Sequence, residues 1–372
     1  MNAVDNFKIA FFLPSLMGGG AERITVTLAN GLAQCGYRVD LVLASAKGGF
    51  VSQVSSQVQM HDLSVERVFL ALPGLVRYLR QERPDVIISG MTHANLIAIL
   101  SKALSMTNTR VVIVEHTVWS WIKYQSNLRM EKFLYSICKW LYPQADAFVA
   151  VSHSILEDVS KYVSLSPEKS FCIYNPVIFP NFDNLKEQPV SLSWLADKKN
   201  PVILAVGRLV AEKDFATLIR AFALVRRRVV SKLIILGEGA ERTALEDLVR
   251  ELGLVDDVVL PGYIQNPYAY MAKSDLFAVS SLYEGLPTVV IEALACGLPV
   301  VSTDSDASRE ALENGKYGVL VPLRDELALA NALLTALSTN HNKEILLERA
   351  CEFSTNAAIE NYLRLFQFLG VN

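Results

Sequence analysis

Cysteine is scarce in this chain, neither sign of charge is in surplus, and no long apolar run occurs. The five cysteines, Cys35, Cys138, Cys172, Cys296 and Cys351, are odd in number and show no CxxC spacing. That argues against cysteine-rich metal knots and disulfide-stapled secreted scaffolds, and reads as reduced thiols in a cytoplasmic protein. The formal net charge is −3, so the basic surplus that would hold nucleic acid is missing. No run reaches the roughly 20 apolar residues that cross a bilayer, so any membrane contact is expected to be peripheral. The early apolar run FKIAFFL has no basic segment before it and is followed by the loop PSLMGGG, unlike a secretory signal. Low-complexity tracts and fine internal repeats are absent too.

What is present is length and apolar content. With 372 residues and 51% hydrophobic composition, the chain suits two domains with sizeable cores. Short apolar runs alternate with helical patterns: FKIAFFL, then a helix from about Ala21 to Gln34, YRVDLVLA, a helical stretch near 68–82, PDVIIS, a helix from about Thr92, RVVIVEH and ADAFVAVS. Strands separated by helices of this length imply a parallel, doubly wound sheet. The pattern lapses in a Pro-, Asn- and charge-rich stretch, with the linker placed at 179–200. It resumes with PVILAVG, helices near 214–229 and 240–252, KLIILG, DVVLPG, SDLFAVSS and PVVST. The fold class is therefore α/β, two doubly wound Rossmann-like domains facing across a cleft. The domains are 1–178 and 201–354, and a last helix, 355–372, is expected to rejoin the first. Ligands of open α/β sheets bind at strand C-termini, so motifs there carry the functional reading.

Three such motifs stand out. Gly18 and Gly19 open a turn between the first strand and first helix, where free backbone N–H groups favour an anion. A tight turn also needs glycine. The run is not a dinucleotide fingerprint, because Asp40 lies near the start of its strand and not the end. In AVGRLVAEKDFATLIRAFA, Arg208 and Lys213 flank a loop after a strand. A guanidinium fork and an ammonium suit a diphosphate. In SSLYEGLPTVVIEALACGLPVVST, Glu284 precedes a helix that Pro287 starts, and Gly285, Leu286, Pro287 and Thr288 form a backbone approach to phosphate. Glu292, inside that helix among Ile291, Ala293 and Leu294, suits a ribose diol. Two carboxylates so differently placed do not suit a glycosidase acid and nucleophile.

The combination resembles the retaining GT-B glycosyltransferases of the glycogen-synthase-like family, family 4, group 1. The resemblance spans essentially the whole chain and rests on GGGAER (18–23), GRLVAEKDFATLIRAF (207–222), SSLYEGLPTVVIEALACGLPVV (280–301) and, more weakly, LGEGAERTALE (236–246). The glutamates fit that family's E-x7-E motif. It implies a nucleoside-diphosphate sugar donor, UDP favoured, as co-substrate, and neither cofactor nor metal. Arg208 and Lys213 would bind the diphosphate, Glu292 the ribose, Glu284 with Gly285 to Thr288 the sugar and phosphates, and Gly18 with Gly19 would close on the phosphate. His116, after RVVIVE, would contact the donor sugar, and His93 could touch acceptor; His61, His153 and His341 read as structural. The Gly-Gly-Pro-Glu-like loop of many members is replaced by DSDASREAL. Its DSD imitates a metal motif of another architecture, so no metal is expected.

The acceptor is read from 118–142, VWSWIKYQSNLRMEKFLYSICKWLY. Aromatics with bases on a helix suit a membrane interface; a core helix with a solvated basic face fits as well. The resemblance implies a glycan or polyprenyl-diphosphate-linked glycan acceptor and peripheral contact at the inner membrane face. Rival classes are a non-catalytic sugar-nucleotide-binding scaffold and another Rossmann enzyme, such as a sugar-nucleotide epimerase.

Overall fold

The computed structural model describes residues 7–120 and 129–371. The chain divides into two compact units, Met1–Pro176 with Ser354–Asn372, and Val177–Phe353.

The first unit is built on a seven-stranded sheet: β1 (Lys8–Leu13), β2 (Arg38–Leu43), β3 (Val58–Asp62), β4 (Val86–Gly90), β5 (Arg110–Glu115), β6 (Ala147–Ala150) and β7 (Ser170–Cys172). The order is β3-β2-β1-β4-β5-β6-β7 and every pairing is parallel. β1 and β4 are buried along their whole length, because helices cover both faces of such a sheet. The helix Gly20–Gln34 lays Ile24, Leu28 and Leu32 on the sheet. The C-terminal helix Thr355–Phe368 packs beside it: a Cβ at Gly31 would stand 2.7 Å from Ile359 Cδ1, so glycine eases that approach. Phe366 meets Phe7 and Phe368 meets Phe171, with ring centroids 5.4 and 5.1 Å apart.

The second unit repeats the plan in six strands: β8 (Val202–Val206), β9 (Lys232–Leu236), β10 (Val258–Gly262), β11 (Leu276–Val279), β12 (Val300–Thr303) and β13 (Val319–Val321). All are parallel, in the order β10-β9-β8-β11-β12-β13. The core joins Ile203, Leu233 and Leu276 to Phe215, Leu218 and Phe222 of the helix Phe215–Arg226.

The stretch expected as a linker, 179–200, is packed into the second unit. Phe182 is buried against Phe179 and Tyr268, with ring centroids 5.7 and 4.6 Å away, and Leu195 is buried as well. Three apolar anchors among Pro, Asn and charge dock the segment, together with polar ties such as Asn266 Nδ2 donating to Leu185 O at 2.9 Å. The chain passes between units at Pro176–Val177 and Phe353–Ser354 instead. Val177 and Ile178 N–H both donate to the Phe353 carbonyl, at 2.8 and 3.1 Å.

Candidate functional site

In each sheet the strand order reverses between the first and fourth strands of its unit, and loops diverge there at the strand C-termini. That is where open α/β sheets hold ligands. In the second unit the diverging loops follow β8 and β11, and both sequence motifs of that unit fall on them.

The loop after β8 is held from beneath. Gly207 N–H donates to Leu236 O, and Leu209 N–H to Glu238 O, both at 2.9 Å. Gly237 has φ +145°, and a Cβ there would lie 1.9 Å from the Gly207 carbonyl oxygen; one at Gly239 would lie 2.2 Å from that of Leu209. The glycines of LGEGAER therefore serve the close approach of two loops. Ala211–Lys213 forms a single 3-10 turn, and Asp214, at φ 45°, caps the next helix by accepting from the Thr217 N–H at 3.4 Å, and also accepts from the Thr217 hydroxyl at 2.8 Å.

This geometry aims Lys213 at Glu284. Lys213 Nζ lies 2.8 Å from Glu284 Oε1, with the two side chains 19% and 10% exposed. Ser281 Oγ donates to the same carboxylate oxygen at 2.7 Å, and Ser280 Oγ to the Lys213 carbonyl at 2.7 Å. Leu282 N–H donates to Glu212 O at 2.8 Å, so the two loops are stitched together. Arg208 is exposed and makes no ion pair among the described residues. One cation is thus held by a carboxylate, and a second stands open beside it on the same loop.

Glu292 sits elsewhere in its helix. Pro287 is the N-cap, not the first turn, and the helix runs Thr288–Ala295. Thr288 N–H already donates to Leu286 O at 2.9 Å, so that group of the expected Gly285–Thr288 approach is spoken for. Glu292 is 4% exposed and accepts from Tyr268 OH at 3.3 Å. Tyr268 is the partner that reading along the sequence did not find. Its ring rests on Phe182 from the stretch expected as a linker.

In the first unit, Gly18 has φ +132° with open space at its Cβ position, whereas Gly19 lies under Glu22, whose Oε2 would be 2.1 Å from a Cβ there. Glu22 is 6% exposed, and its Oε2 has no hydrogen-bond partner among the described residues. A side chain at Gly19 would have to displace that carboxylate. His116 follows β5 and is half-buried, its Nε2 3.4 Å from where a Gly90 Cβ would stand. Burial pushes its pKa down to about 4, and lowers that of His93 too.

Beside His116 lies a residue the sequence reading passed over. Glu115 is 1% exposed. Thr92 Oγ1 and Asn95 Nδ2 donate to its Oε1 at 3.2 and 3.3 Å, and Tyr142 OH makes a short hydrogen bond to the same atom. Burial nevertheless raises its pKa to about 7. The only hint in the sequence was an acid ending an otherwise apolar strand.

Other candidates have structural partners. Asp40 is buried with Lys8 Nζ at 2.8 Å, Tyr78 OH at 2.6 Å and His61 Nε2 at 3.1 Å. Asp304 and Asp306 of DSD are both held by Arg309, at 2.6 and 3.4 Å. Of the 118–142 stretch, 121–128 lie outside the described residues. Trp119 and Tyr142 are core residues, while Trp140 is 75% exposed at the end of the helix Arg129–Leu141. Two aromatics counted toward an interface thus belong to the interior. No helix among the described residues is long and apolar enough to cross a membrane.

Two family models cover most of the chain: glycosyltransferase family 4 over residues 18–178, and glycosyl transferases group 1 over 191–357. A Campylobacter jejuni N-acetylgalactosamine-N,N'-diacetylbacillosaminyl-diphospho-undecaprenol 4-alpha-N-acetylgalactosaminyltransferase is 35% identical, over 89% of this chain and 90% of that protein. The lipopolysaccharide core biosynthesis glycosyltransferase LpsE of Rhizobium meliloti is 27% identical over 93% and 95%. Anabaena HepE, solved in complex with UDP, shares the fold at a TM-score of 0.80 and 21% identity, covering 97% of this chain and 100% of that one. With both halves matched and the bacterial relatives aligned nearly end to end, the chain belongs to the family 4, group 1 glycosyltransferases of GT-B fold.

Proposed function

We propose that the protein moves a hexose or N-acetylhexosamine from a nucleoside-diphosphate sugar, UDP favoured, to a glycan acceptor carried on a polyprenyl diphosphate, with retention at the anomeric carbon and without a metal. The observation that carries the reading is the Lys213–Glu284 pair at 2.8 Å with Arg208 open on the same loop. A diphosphate leaving group needs preorganised positive charge, and here the carboxylate holds the ammonium in place before any anion arrives. Arg208 and Lys213 take the diphosphate, Glu284 and the Gly285–Thr288 backbone face the phosphates and sugar, and buried Glu292 takes the ribose hydroxyls. Within the first unit by itself, Gly18 and Gly19 offer a turn suited to phosphate, and His116 a neutral imidazole suited to a sugar hydroxyl. The acceptor class is drawn from the C. jejuni relative, whose own acceptor is a diphospho-undecaprenol glycan. Exposed Trp140 beside exposed Lys139 supports peripheral contact with a membrane.

In this reading the bond from the anomeric carbon to the phosphate oxygen breaks with its electron pair leaving on the diphosphate. The acceptor hydroxyl oxygen bonds to the same face of that carbon. Its proton passes to the departing phosphate oxygen, so no side-chain base is required. Nucleoside diphosphate release from a panel of UDP-, GDP- and ADP-sugars, wild type beside Glu292→Ala, tests the proposal. Release from one donor that the variant loses supports donor and ribose assignments together. No release and no thermal shift with any nucleotide would instead favour a non-catalytic scaffold.

A further inference from the structure

We propose that Glu115 is a positioning residue: its buried carboxyl group locks the Gly90–Asn95 elbow against the end of β5 and so sets how His116 is presented. This rests on the reading of His116 as a donor-sugar contact.

Three observations converge. First, a carboxyl group at 1% exposure has no cationic partner among the described residues. Burying such a group costs stability that an apolar side chain of similar size would not cost. Second, its donors come from separate elements. Thr92 and Asn95 open the helix Thr92–Ser105, and Tyr142 lies in the turn after the helix Arg129–Leu141. Trp119 Nε1 favours the carboxylate as well, from outside hydrogen-bond geometry. Third, the elbow between β4 and that helix is strained. Met91 has φ 83°, which a side chain rarely adopts, and it caps the helix without a side-chain bond. Strain of this kind persists only where surrounding contacts hold it, and it gathers at functional sites. Asn95 does much of the holding: its N–H donates to Met91 O at 2.9 Å, and its amide to Val114 O at 3.0 Å.

The elbow matters because His116 rests on it. The imidazole lies against Gly90, one residue before Met91, and the His116 peptide follows Glu115 directly. Any shift of 90–92 moves the surface under the ring. The titratable groups around the carboxyl are Tyr142, Cys138 and His116, with His93 on the helix Thr92–Ser105. Burial keeps Tyr142 and Cys138 protonated, with Cys138 pushed up to about 12, and keeps both histidines neutral. β4 and β6 bring no titratable side chain. The ionisation of Glu115 is therefore the charge change this corner undergoes near neutral pH among its described residues. With three donors on one oxygen, the carboxylate draws the elbow in harder than the acid does.

The test uses the full chain with Glu115→Gln, Thr92→Val and Thr92→Ser. In wild type, kcat should rise with pH through a limb near neutrality. Thr92→Val should lower kcat about tenfold with donor KM within about twofold, and Thr92→Ser should restore it, since only orientation is altered. Glu115→Gln should abolish the limb. A limb that survives in Glu115→Gln, or Thr92→Val equal to Thr92→Ser, overturns the proposal. If wild type turns over no donor, the transfer reading falls separately. The imidazole 15N shifts of His116 then decide: they should follow a near-neutral titration that Glu115→Gln removes, and shifts indifferent to that substitution overturn the positioning role.

Discussion

The two units share a strand order yet hold opposite electrostatics at the same topological place. In the second unit, the loops after β8 and β11 carry full charges near water: Lys213 and Glu284 in contact, and Arg208 exposed. In the first unit, the ends of β4 and β5 carry groups that burial drives toward neutrality, with His116 down to about 4 and Glu115 up to about 7. Topology chooses where a ligand can bind, and desolvation chooses what kind of contact is offered. The charged end suits a diphosphate. The neutral end suits hydroxyl groups, to which an uncharged imidazole can donate or accept.

The comparison breaks first at the charged end. Lys213→Ala should lower kcat/KM for the donor by about a hundredfold or more, as loss of one preorganised charge at a leaving group does. Arg208→Ala should act in the same direction, and full turnover in both variants would remove the diphosphate assignment. The next effect is steric. Gly237→Ala sets a Cβ 1.9 Å from the Gly207 oxygen at φ +145° and should destabilise by about 3 kcal/mol or more. Gly20→Ala meets nothing within 4 Å and should change stability by less than about 0.5 kcal/mol. Thermal melts of the two variants compare the loops directly. At the far side of the second unit's helix, Glu292→Ala should raise donor KM roughly 10- to 100-fold, the range for hydrogen bonds to a charged group.

A change of pH sharpens the neutral end. Glu115, raised to about 7 from 4.5, binds its proton more tightly when folded, so its contribution to stability falls as pH rises from 4.5 to 7. His116, lowered to about 4 from 6.5, resists protonation when folded, so its contribution falls as pH drops from 6.5 to 4. The two slopes oppose each other in wild type. His116→Gln should leave a stability that declines toward pH 7, and Glu115→Gln one that declines toward pH 4, each by about one proton's worth of linkage. Urea melts across that range check this: a flat profile in either single variant would mean that the remaining group binds its proton alike in the folded and unfolded chain.

The doubly wound fold was legible because interior parallel strands are apolar on both faces. β1, β4, β5, β8 and β11 stand as continuous runs, and periodic helices lie between them. Three of the four edge strands were not legible. β3 buries one residue in full, β7 none, and β13 one, so each exists through the ladder it joins. The same division runs through the site. Arg208, Lys213, Glu284 and Glu292 stood out as candidates because they sit in loops after apolar strands or, for Glu292, inside an apolar helix, where a charged residue without a partner is costly. Tyr268, Glu22 and the Gly237–Gly207 approach were not, because each depends on a neighbour distant in sequence or on a backbone angle. The sequence by itself determined the two-sheet architecture and which polar groups stand at strand ends, since burial period and residue chemistry are local. Only the tertiary structure decided that Lys213 meets Glu284, that 179–200 docks instead of linking, that His116 is kept neutral and that the Glu115 carboxyl is raised to about 7, since pairing and desolvation are properties of the packed surroundings.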